Sequence, residues 1–269
     1  MSHTSREQWC RRDELISLCL QPFLAALSRA FSTRTDTPGR ATAMSGVEIR
    51  EYRAGDGCAV RELFTLGMSE HVPAAFVHFL KQPPAQMLLM CTFCALLASS
   101  KSVLLPILAV TLLLAAGRQL LVYMFNDYIE TCYNTDLKNI GETYMAARDS
   151  CFWVAESEGC LVGTVACLPG NGAPDCLELK RMSVRRSHRR MGVAKELCRK
   201  VVDFTRRRGY AAVVLITSVV QTDAQKLYED LGFRKVREFV MPNVASKLSN
   251  FSLFEYRLDL RQDPAEKKL

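Results

Sequence analysis

A long apolar run between Ala85 and Phe125 constrains this chain more than any other feature of the sequence. It contains two apolar blocks, residues 85–98 and 102–117, divided by a Ser-Ser-Lys sequence that ends at Lys101. A helix needs about 20 apolar residues to cross the hydrocarbon core of a bilayer, and each block is slightly shorter than that. Two geometries remain open: a helical hairpin that enters or crosses one bilayer, or a single longer span with Lys101 snorkelling at one end.

The alternative to a membrane segment is a helical hairpin buried in a soluble core. Between Ala85 and Phe125 the chain has one lysine, one arginine and no acidic residue. So much apolar surface is difficult to bury inside a domain of the size that the rest of the chain allows. We therefore predict that residues 85–125 insert into a membrane, with the hairpin and the single span both still open.

The two ends of the chain differ in composition from its centre. Residues 1–43 mix an apolar patch with arginines, acidic residues and a proline, which fits neither a secretory signal nor a clean mitochondrial presequence. We predict a disordered N-terminal extension over residues 1–43, with binding to a membrane surface or targeting as the alternative. A polar tail is predicted over residues 263–269.

Between these regions the pattern is mixed α/β. Residues 47–53 alternate apolar and polar as a half-buried strand does, and a short helix follows, for which Asp56 is a possible N-cap. After the apolar run the sequence predicts strands at 151–157, 160–168, 176–184 and 210–218, helices at 192–208 and 223–233, and two closing strands. Because a helix crosses over between strands 176–184 and 210–218, the fold class is α/β with a mixed sheet.

A basic loop precedes the helix that begins near Gly192. Six of the eleven residues 180–190 are Lys or Arg, and the whole chain carries a formal net charge of +7. A helix N-terminus offers free N–H groups and partial positive charge, so this arrangement suits a pyrophosphate. The loop alone fits a solvated surface or a patch for RNA or anionic lipid equally well. The missing aromatic residues disfavour RNA, so no nucleic-acid partner is predicted.

The cysteines and histidines indicate neither a disulfide framework nor a metal site. Eleven cysteines are scattered along the chain, which favours free thiols in a reducing compartment. Cys91 and Cys94 form a Cys-x-x-Cys pair, but they lie inside the apolar run without a second pair. The four histidines show no metal-ligand spacing. No metal is predicted, and metalloenzymes and hydrolases are disfavoured.

The segment "RRMGVA", residues 189–194, resembles the Arg/Gln-x-x-Gly-x-Gly/Ala signature of the GNAT superfamily of N-acetyltransferases, with Arg189, Gly192 and Ala194 at the signature positions. It follows a strand and opens a helix, and "AQKLYEDLGF" downstream is similar to a second segment of that superfamily. These features occur in the expected order over residues 176–234. The resemblance implies a GNAT acetyltransferase fold and acetyl-CoA as co-substrate. One departure is Gln221, where many members have asparagine.

Over about residues 46–260 the chain is similar to the camello-like branch of that superfamily, whose members are membrane-bound. That resemblance implies a GNAT domain built from residues 44–84 and 126–262, interrupted by the apolar insertion. Since both parts contribute to one sheet, both ends of the insertion must lie on one membrane face, which favours a hairpin. Lys81 and Arg118 suit the cytosolic face. The resemblance implies an endoplasmic reticulum membrane, with membrane lipid as a partner.

The resemblance also assigns the cofactor contacts. Met182, Ser183 and Val184 lie on the strand along which the pantetheine arm is expected, and the Met182 N–H is the candidate oxyanion donor. The pyrophosphate is expected on the loop formed by Arg189, Arg190, Met191, Gly192, Val193 and Ala194.

Four further residues receive roles in catalysis and substrate binding. Tyr228 is expected to protonate the leaving thiolate, and a core aromatic is the alternative. Glu178 is the candidate general base, although a surface strand residue would look the same. Lys180 or Arg181 is expected to bind the α-carboxylate of an amino acid conjugate, and both could instead serve the phosphates of the cofactor.

The resemblance to the camello-like branch implies transfer of an acetyl group from acetyl-CoA to the α-amine of cysteine S-conjugates at the endoplasmic reticulum membrane, and this is the favoured function. The alternatives are a protein lysine N-acetyltransferase at the same membrane, an aspartate N-acetyltransferase, and a non-enzymatic acyl-CoA-binding membrane adaptor. The expected partners are a small-molecule amine or protein lysines, and lipid.

Overall fold

Seven strands form one mixed sheet in the computed structural model of this chain, which describes residues 46–100, 102–170, 174–242, 246–247 and 249–260. The predicted N-terminal extension, the polar tail and Lys101 lie outside the described residues. The strands are β1 (Val47–Glu51), β2 (Cys151–Ser157), β3 (Cys160–Pro169), β4 (Cys176–Val184), β5 (Ala212–Ser218), β6 (Arg234–Val240) and β7 (Ser252–Asp259). Their order across the sheet is β1-β2-β3-β4-β5-β7-β6. The prediction of an α/β fold with a mixed sheet is confirmed.

Six α-helices accompany the sheet in the described part of the chain. They are α1 (Gly57–Ser69), α2 (Val72–Leu80), α3 (Pro83–Ser99), α4 (Leu104–Asn134), α5 (Val193–Arg207) and α6 (Thr222–Asp230). Asp56 occupies the N-cap position of α1, but its carboxylate pairs with Arg50 at 2.7 Å and accepts the Arg53 N–H at 2.8 Å. The aspartate therefore ties the start of α1 to β1 instead of capping the helix.

Parallel pairing occurs at one place in the sheet, between β4 and β5, and every other neighbouring pair is antiparallel. A parallel pair needs a crossover connection, which α5 provides. The predicted strands at 151–157 and 160–168 are present as β2 and β3 and form a hairpin, and its turn residues Glu158 and Gly159 have φ angles of 51° and 76°. Positive φ at both central residues gives the turn the twist that a two-residue hairpin requires.

Apolar side chains pack on both faces of the sheet. On one face α5 contributes Val193, Leu197 and Val201, all essentially inaccessible to solvent. On the other face α1 and the end of α4 contribute Val60, Phe64 and other buried side chains. The four-residue spacing of the α5 side chains places them on one stripe of the helix, which is why the sequence pattern identified this helix.

The helices α3 and α4 contact each other and are joined by four residues, so they form a helical hairpin. Many of its large apolar side chains are exposed, among them Leu88, Leu104 and Leu112. Among the described residues α4 is the one helix that is long and apolar enough to cross a membrane. The predicted insertion ends at 125, but α4 continues to Asn134, because its last turns pack Ile129 and Cys132 into the core beneath α1.

Candidate active site

A gap opens in the centre of the sheet where β4 and β5 separate. Their parallel pairing ends at Leu179 and Leu215, yet β4 continues to Val184 and β5 continues to Ser218. Beyond that point β4 stays paired to β3 and β5 stays paired to β7. One edge of β4 therefore has no strand beside it after residue 179, and its backbone groups are available to an extended ligand. The predicted residues Met182 and Val184 lie on this stretch.

An irregularity in β4 adds an extra residue at the gap. Lys180 lies opposite Ala166 and Ser183 lies opposite Thr164, so β4 has one residue more than β3 between these pairs. Arg181 has a φ of 55°, in the left-handed region that a side chain other than glycine rarely adopts. The Thr164 hydroxyl donates a hydrogen bond of 2.8 Å to the Arg181 carbonyl. A β-bulge of this kind re-aims the backbone groups that follow it.

Asp136, which follows the last turn of α4, holds the Arg181 side chain by two hydrogen bonds. Arg181 Nε donates to one carboxylate oxygen at 2.7 Å and Arg181 Nη2 to the other at 2.5 Å. The guanidinium also lies over the Phe64 ring, 4.8 Å from its centroid. Burial alone would raise the pKa of the Asp136 carboxyl, but hydrogen bonds from Arg181 and Tyr144 outweigh it, and the pKa falls below its ordinary value. A closed ionic cluster thus anchors the bulge.

The signature loop places a row of backbone N–H groups at the start of α5. Gly192 is the N-cap of α5 and has a φ of 90°, and Arg190 has a φ of 63°. The N–H groups of residues 190–195, which include Met191, Val193 and Ala194, donate to no acceptor among the described residues. Free N–H groups at a helix N-terminus form an anion site.

Two arginines of the basic loop attach it to neighbouring elements. Arg189 Nη1 pairs with Glu70 at 2.7 Å, and its Nε donates to the Val184 carbonyl at 3.0 Å. Arg185 pairs with Glu62 at 3.0 Å and its Nε donates to the Leu161 carbonyl at 2.8 Å. These bonds fix the position of the loop relative to α1. Arg190 is exposed and forms no ion pair with a described residue.

Tyr228 on α6 is buried among side chains of the face that α5 covers. Its ring packs against Phe233 and Tyr256, with centroids 5.8 and 6.3 Å away. None of the hydrogen bonds formed by the described residues involves its hydroxyl. Burial, with a smaller contribution from Cys198, raises the pKa of Tyr228 above its ordinary value. The phenol therefore remains protonated at neutral pH, which suits a proton donor.

A cleft of about 300 Å³ lies on the face of the sheet opposite α5. The cleft adjoins the point where β4 and β5 separate. Glu178 and Lys180 of β4 line it together with Val214 and Ile216 of β5, and Glu178 is the register partner of Val214. Glu178 and Lys180 form an ion pair of 3.3 Å. The complete lining consists of Gly170, Glu178, Lys180, Val214, Ile216, Arg237, Phe239 and Glu255.

The junction of α1 and α2 covers the β5 side of the gap. The Gln221 amide oxygen accepts hydrogen bonds from the Ser218 N–H, the Ser218 hydroxyl and the Thr217 hydroxyl. Its amide nitrogen, which can only donate, lies 3.3 Å from His71 Nε2. Burial lowers the pKa of His71, so its imidazole is neutral and Nε2 accepts this bond. Gln221 thus links the end of β5 to the α1–α2 junction.

Comparisons with known proteins agree with this geometry. A sequence profile described as "Acetyltransferase (GNAT) family" matches residues 119–233. "Probable N-acetyltransferase camello" of Xenopus tropicalis is 35% identical over 218 residues, which is 81% of this chain and 100% of that protein. The chain belongs to the GNAT acetyltransferase family.

Two rat relatives place this acetyltransferase among the camello and N-acetyltransferase 8 proteins. "N-acetyltransferase 8" of Rattus norvegicus is 38% identical over 216 residues, covering 79% of this chain and 97% of that protein. "N-acetyltransferase 8F1" of the same species is 41% identical over 195 residues, covering 71% of this chain and 88% of that protein. The chain is therefore an acetyl-CoA-dependent N-acetyltransferase that acts on an amine acceptor.

The residues at the gap fit acetyl-CoA by an observation independent of the comparisons. The free N–H groups of residues 190–195 form an anion site at one end of the open edge of β4. An extended pantetheine arm requires hydrogen-bonding backbone along its length, which the unpaired stretch after Leu179 offers. The two features are continuous along the chain, so one molecule with a pyrophosphate and an extended amide arm can use both.

The structure places most of the predicted site residues at the gap or in the cleft. Met182, Val184 and the loop 189–194 lie on the open edge of β4 and the start of α5, and Glu178 and Lys180 lie in the cleft. The Ser183 hydroxyl donates a hydrogen bond of 3.2 Å to the Leu63 carbonyl, so only the backbone of Ser183 is available to contact the cofactor. Arg181 lies outside the cleft, because Asp136 occupies its guanidinium. That arrangement favours a positioning role for Arg181 over substrate binding.

Sequence reasoning missed Asp136, His71, Arg237 and Phe239. Each belongs to the site only through a contact with a residue distant in the sequence, so no local pattern marks it. In the described part of the chain no group of three His, Cys, Asp or Glu side chains could hold a metal ion.

Proposed function

We propose that this acetyltransferase acetylates the α-amine of cysteine S-conjugates at a membrane, with its catalytic domain on the cytosolic face of the endoplasmic reticulum. One observation carries the proposal: the gap between β4 and β5 has an anion-binding loop on one side and a cleft with paired charges on the other. A thiol ester held along the gap and an amino acid held in the cleft would meet between the two strands.

The proposed roles follow from the chemistry of amine acetylation. Acetyl-CoA supplies a thioester carbonyl for attack by a neutral amine. Glu178 accepts a proton from the ammonium form of the substrate, which frees the lone pair of the nitrogen. The Met182 N–H donates a hydrogen bond to the carbonyl oxygen as negative charge develops there. As the C–N bond forms and the C–S bond breaks, Tyr228 donates its phenolic proton to the departing sulfur, and the second proton released by the nitrogen restores the phenol. Lys180 holds the Glu178 carboxylate in the cleft through their ion pair, which leaves the substrate carboxylate to another cation of the cleft.

The helical hairpin supports a membrane location. The exposed segments of α3 and α4 each extend about 25 Å, slightly less than the hydrocarbon core of a bilayer, at 1.5 Å per residue. Gly117 of α4 lies against Phe79 of α2, since a Cβ at Gly117 would be 3.5 Å from that ring. Lys81 and Arg118 therefore lie at the base of the hairpin, where cations can contact lipid headgroups. Both ends of the hairpin join one catalytic domain, as a hairpin inserted from one face requires.

Steady-state acetylation assays test the proposed substrate. The detergent-solubilised full-length chain is incubated with acetyl-CoA and with S-benzylcysteine, aspartate or a lysine-containing peptide, and release of CoA is followed. We expect the highest kcat/KM with S-benzylcysteine. Turnover of aspartate alone would indicate an aspartate N-acetyltransferase, and turnover of the peptide alone would indicate a protein lysine acetyltransferase. CoA binding without turnover of any amine would favour an adaptor. Each of these three results would overturn the proposal.

A further inference from the structure

The charges in the cleft next to the gap are balanced. Two carboxylates, from Glu178 and Glu255, and two cations, from Lys180 and Arg237, line it. Glu178 pairs with Lys180 at 3.3 Å, while Arg237 and Glu255 occupy directly opposed positions on β6 and β7. A ligand with one positive and one negative group can enter such a site without leaving a charge unpaired. A ligand with net charge would leave one charge of the cleft without a partner.

Apolar side chains form the remaining walls. Val214 and Ile216 of β5 and Phe239 of β6 line the same cleft. Ile216 is 49% exposed, although its neighbours on β5 are buried. Apolar side chains and charged groups that line one concave site can contact a ligand that is polar at one end and apolar at the other. The cleft thus joins a polar end with an apolar end.

Arg237 differs from Lys180 in the availability of its charge. Lys180 is held by Glu178, whereas no ion pair joins Arg237 to a described residue. Its guanidinium stacks over Phe239, 5.0 Å from the ring centroid. This stacking orients the planar group and leaves its N–H edge free for a carboxylate, which a guanidinium binds by two parallel hydrogen bonds.

We infer that Arg237 anchors the α-carboxylate of a zwitterionic amino acid and that Phe239 and Ile216 contact its apolar side chain. This inference rests on the proposed function and specifies how the site selects its acceptor. Glu178 faces the ammonium group on the side of the cleft nearest the gap. Aspartate brings a second carboxylate that has no third cation here, and a lysine side chain in a protein brings none.

A comparison of two amines isolates the role of Arg237. S-benzylcysteine carries the carboxylate, and S-benzylcysteamine is the same molecule without it. In the full-length enzyme, we expect Arg237→Gln to raise KM for S-benzylcysteine about 10- to 100-fold, the usual effect of losing a hydrogen bond between charged groups. KM for S-benzylcysteamine and for acetyl-CoA is expected to stay within about twofold, since neither uses Arg237.

Lys235→Gln is the matched control, because Lys235 is on the same strand but covers Phe254 on the opposite face of the sheet. It is expected to leave both KM values unchanged. Arg237→Lys keeps the charge without the paired N–H groups, and we expect a KM between those of the unmodified enzyme and Arg237→Gln. An unchanged KM of acetyl-CoA verifies that each variant is folded.

Two results distinguish failure of this inference from failure of the proposed function. If S-benzylcysteine is turned over normally and Arg237→Gln changes KM for both amines equally or for neither, the carboxylate role is wrong. If the unmodified enzyme does not turn over S-benzylcysteine but acetylates another amine, the proposed function is wrong, and this inference is lost with it.

Discussion

The Arg181 guanidinium and the Asp136 carboxylate form a two-point ion pair, with N–O distances of 2.7 and 2.5 Å, that joins the end of the long apolar helix to the bulge of β4. The two residues are 45 positions apart in the sequence. The bulge precedes Met182, whose N–H is the proposed oxyanion donor. The pair therefore connects the position of α4 with the geometry of the proposed catalytic edge.

Asp136→Asn tests this connection. Loss of the carboxylate leaves Arg181 without its counter-charge, and we expect a loss of about 3 kcal/mol in the free energy of unfolding. If the pair positions Met182, kcat falls while KM for acetyl-CoA changes little. Asp56→Asn is the control, since it removes the comparable Arg50 ion pair at β1. Equal losses of kcat in both variants would indicate a general effect of stability.

The stability that this ion pair contributes should depend on pH. The pKa of Asp136 is lower in the folded protein than its ordinary value of about 3.9. Its contribution is therefore complete above that value and is lost as the pH falls through the folded-state pKa. Denaturant unfolding is followed by the fluorescence of the buried Trp153. The free energy of unfolding of Asp136→Asn should be lower than that of the unmodified protein at pH 7, and the difference between the two should be smaller at pH 3. A constant difference would exclude Asp136 as its source.

Tyr228→Phe should separate catalysis from binding. The hydroxyl forms no hydrogen bond with a described residue, so its removal is expected to leave the fold and the affinity for CoA nearly intact. Loss of a proton donor is expected to lower kcat about 100-fold. Tyr256→Phe removes a neighbouring hydroxyl that donates to Glu229 at 2.8 Å, and it should leave kcat unchanged. Loss of CoA binding with unaltered chemistry would contradict the role given to Tyr228.

Gly192→Ala should weaken CoA binding through the backbone. A side chain at a φ of 90° destabilises the left-handed conformation by about 1–2 kcal/mol, which disturbs the N–H groups at the start of α5. Gly209→Ala is a close control: Gly209 follows the same helix, has a φ of 80°, and has no atom near the position of an added Cβ. Calorimetric titration with CoA should show weaker binding for Gly192→Ala alone. Equal weakening in both variants would show that the loop has no special role.

Substitution on the exposed face of α4 tests the membrane interpretation. Leu108 and Leu112 are more than half exposed, so replacing both with Asp should cost little folding stability. Each aspartate in the centre of an inserted helix costs about 3 kcal/mol of insertion free energy. In liposome flotation, the double variant should leave the lipid fraction, whereas Val236→Asp on β6 should not. Unchanged flotation of the double variant would argue against insertion of the hairpin.

Local sequence pattern was sufficient for most of the fold. The alternation in residues 47–53 and the four-residue spacing in α5 show which face of each element is buried, and the uniformly apolar strand before Ser218 indicates burial on both faces. Each predicted strand and helix is present. The strongly hydrophobic α2 was not predicted, and α4 extends past residue 125. Composition alone does not give the length of α4, because apolar composition does not show whether lipid or protein covers a helix.

For the site, the sequence by itself determined the anion-binding loop, because "RRMGVA" places positive charge, a glycine with left-handed φ and a helix start within a few consecutive residues. Only the tertiary structure decided which charges remain available to a ligand. It binds Arg181 to Asp136, attaches Arg189 to Glu70 and brings Arg237 into the cleft. The physical reason is that a helix or strand encodes its own buried face locally, whereas a charged side chain acquires its partner only when distant segments pack together.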